Sequence, residues 1–145
     1  MKITDILLQN LGPYIGENKL SFDHSDHTRN VVLIGGKNGA GKTTLFNSIK
    51  IGLYACRAYG FESENAKYLE IVSNLINRNA KLERTGVARV VISILMEDGK
   101  DDFTYRFERS WKLSTKQLRE ELKLYRNDVL LDETEKSDFE SYLLQ

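Results

Sequence analysis

The rhythm of apolar and polar residues changes several times along the chain. Ile3 to Leu11 is short and mostly apolar, and predicts a first strand. Gly12-Pro13-Tyr14-Ile15-Gly16 interrupts it, because Gly and Pro favour turns over continued pairing. Lys19 to Phe22 predicts a second short strand, and the polar stretch from Asp23 to Asn30 a loop. Val31-Val32-Leu33-Ile34 follows as an unbroken run of β-favouring residues. Such a run predicts a strand buried on both faces, as in a parallel sheet.

From Lys42 the period lengthens. Leu45, Ile49, Leu53 and Cys56 recur at helical spacing with Phe46 beside them, predicting a helix that ends near Gly60. Tyr59 to Lys67 is polar. Tyr68 to Arg78 carries Leu69, Ile71, Val72, Leu75 and Ile76, and predicts a second helix. After Asn79 the period shortens to two. Across Ala88 to Glu97, Val90, Ile92, Ile94 and Met96 share one face, with Val91 and Leu95 on the other. Asp98-Gly99 is a turn signal, and Phe103 to Arg109 alternates aromatic with polar residues. This pattern predicts an antiparallel hairpin with one wet face. Leu118, Leu122 and Leu124 fit a strand or a short helix equally well. Asp128 to Glu135 reads as a turn plus a short apolar run, and Ser137 to Gln145 as the start of a helix.

At 145 residues, 41% of them apolar, the chain suits one globular domain. Lys plus Arg and Asp plus Glu are balanced at 21 each, so no global basic field draws it to nucleic acid. Cys56 is the only cysteine; an internal disulfide is excluded, and a reducing cytoplasm with a buried thiol is expected. The N-terminal segment lacks the pattern of a signal peptide, and no stretch approaches the ~20 apolar residues of a membrane span. His24 and His27 lack companion ligands and are read as loop histidines rather than a metal site.

The candidate chemistry lies in Gly36-Lys37-Asn38-Gly39-Ala40-Gly41-Lys42-Thr43, which matches GxxxxGK[ST]. A β-type run precedes it and a helical run follows, the context a phosphate loop requires. Glycines let the backbone curl so that successive N–H groups point inward, and the helix N-terminus adds its positive end. Lys42 is read as the point charge for the β- and γ-phosphates, Thr43 as the Mg²⁺ ligand, and Thr44 as a donor to the α-phosphate. The expected ligand is ATP with Mg²⁺. No G-x-G-x-x-G supports a dinucleotide instead.

Hydrolysis also needs a second acidic metal ligand and a group that orients water. Val129-Leu130-Leu131-Asp132-Glu133 is weighed for that role and set aside: its apolar run is one residue short, and it follows a tight turn, as a returning hairpin strand would. The catalytic residues are therefore left unassigned, and the chain reads as half of an ATP site.

These features resemble the start of the SMC-like ATPases, the group that includes SbcC and RecF. The likeness rests on the Gly-Pro-Tyr turn, the loop GKNGAGKTTL, the helix ending IGLYA, the run Asn74-Leu75-Ile76-Asn77 and the hairpin VVISILMEDGKDDFTYRFERSW. Within the group it is most similar to the DndD family of bacterial DNA phosphorothioate modification, through VVLIGGKNGAGKTTLFNSIKIGLYA and YLEIVSNLINRNA. The resemblance implies an α/β P-loop NTPase of the ABC/SMC type, with a mixed sheet and an antiparallel β-lobe. Residues 1–145 would be the N-terminal part of a head, with the phosphate loop at 36–44 and a β-hairpin region at 88–126. A missing C-terminal half would bring the remaining motifs. Two heads would sandwich ATP, and DNA and other Dnd proteins would be partners of the full-length cytoplasmic protein. A family Gln that touches metal and water is expected near Gln145.

Two smaller readings have plainer competitors. Lys81, Arg84, Arg89, Arg106, Arg109, Lys112, Lys116, Arg119 and Arg126 could face DNA, but Glu83, Glu108, Glu120 and Glu121 are interleaved, so a solvated mixed-charge face is preferred. Trp111 could stack on a base, but closing a β-face against the core is the preferred reading. A DNA repair ATPase of the SbcC/RecF type, a small stand-alone P-loop kinase or nucleotide switch, and a non-hydrolysing ATP-gated dimer are the competing functions.

Overall fold

The computed structural model describes residues 1–22, 31–82, 87–98, 101–114 and 117–143. Six strands are present: β1 (Lys2–Leu11), β2 (Tyr14–Ser21), β3 (Val87–Asp98), β4 (Asp101–Leu113), β5 (Leu118–Arg126) and β6 (Val129–Leu130). Four helices accompany them: α1 (Lys42–Tyr54), α2 (Ala66–Leu75), α3 (Arg78–Leu82) and α4 (Glu133–Leu143). The strands form one sheet in the order β2-β1-β3-β4-β5-β6, and every pairing is antiparallel. The expected mixed sheet is therefore not found among the described residues.

The alternation within β3 sets the layers. Val90, Ile92 and Ile94 are buried on the inner face, beside Ile6 and Leu8 of β1, Phe107 and Trp111 of β4 and Leu124 of β5. Side chains on a strand alternate between faces, so the register Ile6↔Ile92 and Ile92↔Phe107 aligns these apolar rows. Three helices close over them. Gly52 of α1 lies so near the sheet that a Cβ there would meet Ile92 Cδ1 at 2.8 Å. The Tyr68 ring of α2 is fully buried. Phe139 of α4 stacks on Tyr105 with ring centroids 4.1 Å apart.

Several expectations are refined. Residues 118–126 resolve as a strand, and β2 begins at Tyr14 rather than Lys19. The first helix ends at Tyr54; a 3-10 segment (Ala55–Tyr59) then runs to Gly60. Ala55 marks the break, with φ 48° and ψ −131°. The second helix spans α2, capped by the Asn65 side chain, which accepts from the Tyr68 N–H at 3.0 Å. Cys56 is buried, as expected.

One expectation is overturned. Val31–Ile34 is not a buried central strand: the segment has no regular structure, and Val31 and Leu33 are 87% and 95% exposed. An apolar strand needs paired neighbours at its edges and a layer on each face. No described strand lies beside this one. Val32 and Ile34 instead border a cavity of about 530 Å³ with Ile3, Ile6, Phe22 and Ile49, while Val31 and Leu33 point to solvent.

Candidate functional site

The glycine loop folds immediately before α1. A turn closes where the Ala40 N–H donates to the Lys37 carbonyl at 3.1 Å. Gly39 and Gly41 adopt φ of 81° and 96°, a left-handed conformation that glycine tolerates best. Gly41 is the residue before the helix, and the Leu45 N–H donates to its carbonyl at 2.8 Å. No side chain caps this helix N-terminus, and no acidic residue stands in its first turn. An uncapped helix start with no acidic residue in its first turn is a setting that favours an anion.

Lys42 Nζ donates to the carbonyls of Gly36 at 2.5 Å and Lys37 at 2.9 Å. The ammonium is thereby held over the loop it belongs to. Gly36, Lys37, Asn38, Gly39, Ala40, Lys42 and Thr43 are exposed; Gly41 is buried and Thr44 half-buried. The nine sequence-predicted residues thus run as one continuous, mostly exposed segment into the first turn of α1. Thr43 presents a hydroxyl of the kind that binds Mg²⁺. Among the described residues no cluster of three or more His, Cys, Asp or Glu is placed to hold a metal.

A second turn supports the loop from beneath, and sequence reasoning missed its role. The β1–β2 connection Gly12-Pro13 lies against it: a Cβ on Gly41 would meet Pro13 Cγ at 2.8 Å and Tyr14 Cε2 at 2.9 Å. The Tyr14 hydroxyl donates to the Gly41 carbonyl at 3.3 Å. A Cβ on Gly12, which has φ 50°, would meet Thr44 Oγ1 at 2.6 Å. The available signal was the pair of turn glycines, Gly12 and Gly41, both at positive φ.

The Asp132 carboxylate caps a helix in this fold. It accepts from the N–H groups of Thr134 and Glu135, both at 2.9 Å, while Glu135 accepts from the Asp132 N–H at 3.1 Å. That reciprocal arrangement is a capping box at the start of α4. Val129 and Leu130 pair with Arg126 and Tyr125 as an exposed hairpin return, 67% and 56% accessible.

Among the described residues, several of the basic side chains are taken up in separate ion pairs. Arg89 pairs with Glu17, Arg106 with Asp128 at 2.9 Å, and Lys112 with Glu121 at 4.0 Å. Arg109 is buried on the inner face, donating to Glu120 through Nη1 and to the Gly52 carbonyl through Nε at 3.1 Å. Glu120 also accepts from Trp111 Nε1 at 2.7 Å and from the Tyr68 hydroxyl. Burial, and then the charge of Glu120, push the Tyr68 phenol well above its usual range, so it stays a donor. Trp111 therefore closes the core, as the plainer reading held. Arg84, Lys116, Glu83, His24, His27, Gly99 and Gln145 lie outside the described residues.

No described helix is long and apolar enough to cross a membrane. Residues 5–144 match the family described as AAA domain. No curated protein matches the chain.

Proposed function

We propose, because the chain belongs to the AAA domain family, that it is the ATP-binding N-terminal portion of an SMC-like P-loop ATPase. One observation carries the reading: a curled glycine loop, two of its glycines left-handed, delivers Lys42 to the uncapped start of a 13-residue helix. Loop N–H groups bind phosphate oxygens there, and the Lys42 ammonium turns from the Gly36 and Lys37 carbonyls to the β- and γ-phosphates. Thr44 donates to the α-phosphate. Mg²⁺, when bound, neutralises charge on the phosphate oxygens, and Thr43 would hold it.

Hydrolysis is completed elsewhere. With Asp132 engaged as a helix cap, the second acidic ligand and the catalytic base come from another part of the protein or from a second head. The exposed apolar residues Val31–Ile34 support the same view, since a C-terminal half of the head would supply the strands that cover them. The DNA-associated role is assigned to the phosphorothioate system, with other Dnd proteins as partners, on the likeness of the loop, the first helix and the run YLEIVSNLINRNA to DndD.

The test compares thermal unfolding with and without Mg²⁺-ATP in the wild type and in Lys42→Ala, alongside phosphate release. Ligand that binds only the folded state raises the melting temperature. The expected result is a rise that Lys42→Ala abolishes, with no phosphate released. Steady turnover by the chain alone overturns the half-site assignment. The DNA role fails if deleting the gene leaves DNA phosphorothioates intact.

A further inference from the structure

We infer that Asn77 is a positioning residue for the phosphate loop, acting through the carbonyl of Gly12; the inference rests on the nucleotide reading of that loop. Asn77 is 9% exposed, and its Nδ2 donates to the Gly12 carbonyl at 2.5 Å. Two further bonds tie the same short segments together. The Gly12 N–H donates to the Leu75 carbonyl at 2.7 Å, and the Asn77 N–H donates to the Asn10 carbonyl at 2.8 Å. Leu11 and Ile76 form an isolated antiparallel bridge between them. The exit of α2 is thus bonded along the turn that follows β1.

That turn is the floor of the loop. Gly12 abuts Thr44, and Pro13 and Tyr14 abut Gly41, at distances where one added carbon on either glycine would collide. A glycine has the widest backbone freedom of any residue, so its position must be set from outside. Both polar backbone groups of Gly12 are held by residues 75 and 77. The contact runs from Asn77 to Gly12, from Gly12 to Thr44, and from the neighbouring Pro13 and Tyr14 to Gly41. Because reacting and binding groups tolerate displacements of well under ~1 Å, a turn released at Gly12 misplaces donors in the loop.

The remaining bonds of Asn77 permit a clean test. Its Oδ1 accepts from the Asn79 N–H at 2.9 Å, so Asn77→Asp keeps the shape and this acceptor but turns the donor to Gly12 into a carboxylate oxygen that repels its carbonyl. The 145-residue chain is titrated with Mg²⁺ and a fluorescent ATP analogue, in the wild type, Asn77→Asp, Asn77→Ala and Lys42→Ala. The mild core truncation Ile94→Val serves as a control for stability alone. Each protein is measured at the same interval below its own melting midpoint.

Loss of one such bond predicts binding weakened about fivefold to tenfold in both Asn77 variants, with Ile94→Val near the wild type. Gly12→Ala, which enters the same contact from the other end, must weaken binding as well. Wild-type affinity in Asn77→Asp, or an equal loss in Ile94→Val, overturns the positioning role while leaving the loop assignment intact. A wild type that binds no nucleotide, or a Lys42→Ala protein that binds it equally well, overturns the loop assignment and the positioning role with it.

Discussion

Arg109 is charged and buried, 4% exposed; Leu33 is apolar and lies in solvent at 95%. Residue class alone would place both the other way round. Arg109 is inside because partners surround it: Glu120 takes its charge, and the Gly52 carbonyl takes its Nε–H. Leu33 is outside because, among the described residues, nothing covers the face of its segment opposite the cavity that Val32 and Ile34 border. The contrast shows that burial follows available partners, and that hydrophobicity only states a demand for them.

The largest expected effect breaks the buried side of this comparison. Glu120→Ala leaves the enclosed Arg109 with only the more distant Glu140 carboxylate, 3.6 Å from Nη2, and strips the acceptor from Trp111 and Tyr68. Removal of one partner from a buried pair costs about 3–5 kcal/mol, read as a fall in the midpoint of chemical denaturation. A loss below about 1 kcal/mol would mean that water reaches Arg109 and that the network is not enclosed.

Next comes the approach of α1 to the sheet. Gly52→Ala sets a methyl group 2.8 Å from Ile92 Cδ1 and 3.0 Å from Val90 Cγ1. Overpacking of this kind costs about 1–3 kcal/mol, enough to outweigh the better helix propensity of alanine. An unchanged or raised stability would show that α1 sits farther from the sheet than the contact implies.

A gain is expected at the end of the same helix. Ala55 holds φ 48° and ψ −131°, a region that favours glycine. Ala55→Gly removes that strain against a loss of unfolded-state restriction, for a net gain of about 1 kcal/mol. Destabilisation instead would mean that the break between helix and 3-10 segment is not strained.

The smallest effect sharpens the exposed side. Leu33→Ser changes stability by no more than about 0.5 kcal/mol, as for surface positions without special contacts. A loss above 1 kcal/mol would show that the segment packs against something in solution, and would restore the sequence-based expectation of burial.

Alternation made most of the sheet legible. Val90, Ile92 and Ile94 announced the inner face of β3, and the aromatic–polar pattern of residues 103–109 announced β4. The same parity would have found Arg109, which lies between Phe107 and Trp111 on inward positions, and Glu120, between Leu118 and Leu122. Both were grouped with surface charges because sign was weighed above position. The start of β2 was missed since Tyr14–Lys19 is an edge strand of mostly exposed residues, with no apolar beat to read. The glycine loop was legible as a motif. Its floor was not, because the turn at Gly12 meets Thr44 and Asn77 only through folding across distant parts of the chain.

That distance has a consequence for the order of events during synthesis. Gly12 is made early, yet its carbonyl waits for the amide of Asn77, added 65 residues later. A nascent chain that has emerged only through the glycine loop and α1 carries the whole phosphate motif without the clamp beneath it. Since contacts between distant segments form after local ones, nucleotide capture should switch on only once the residues beyond α2 have left the ribosome. Chains halted before and after Asn77 would then differ in their hold on ATP despite identical loops.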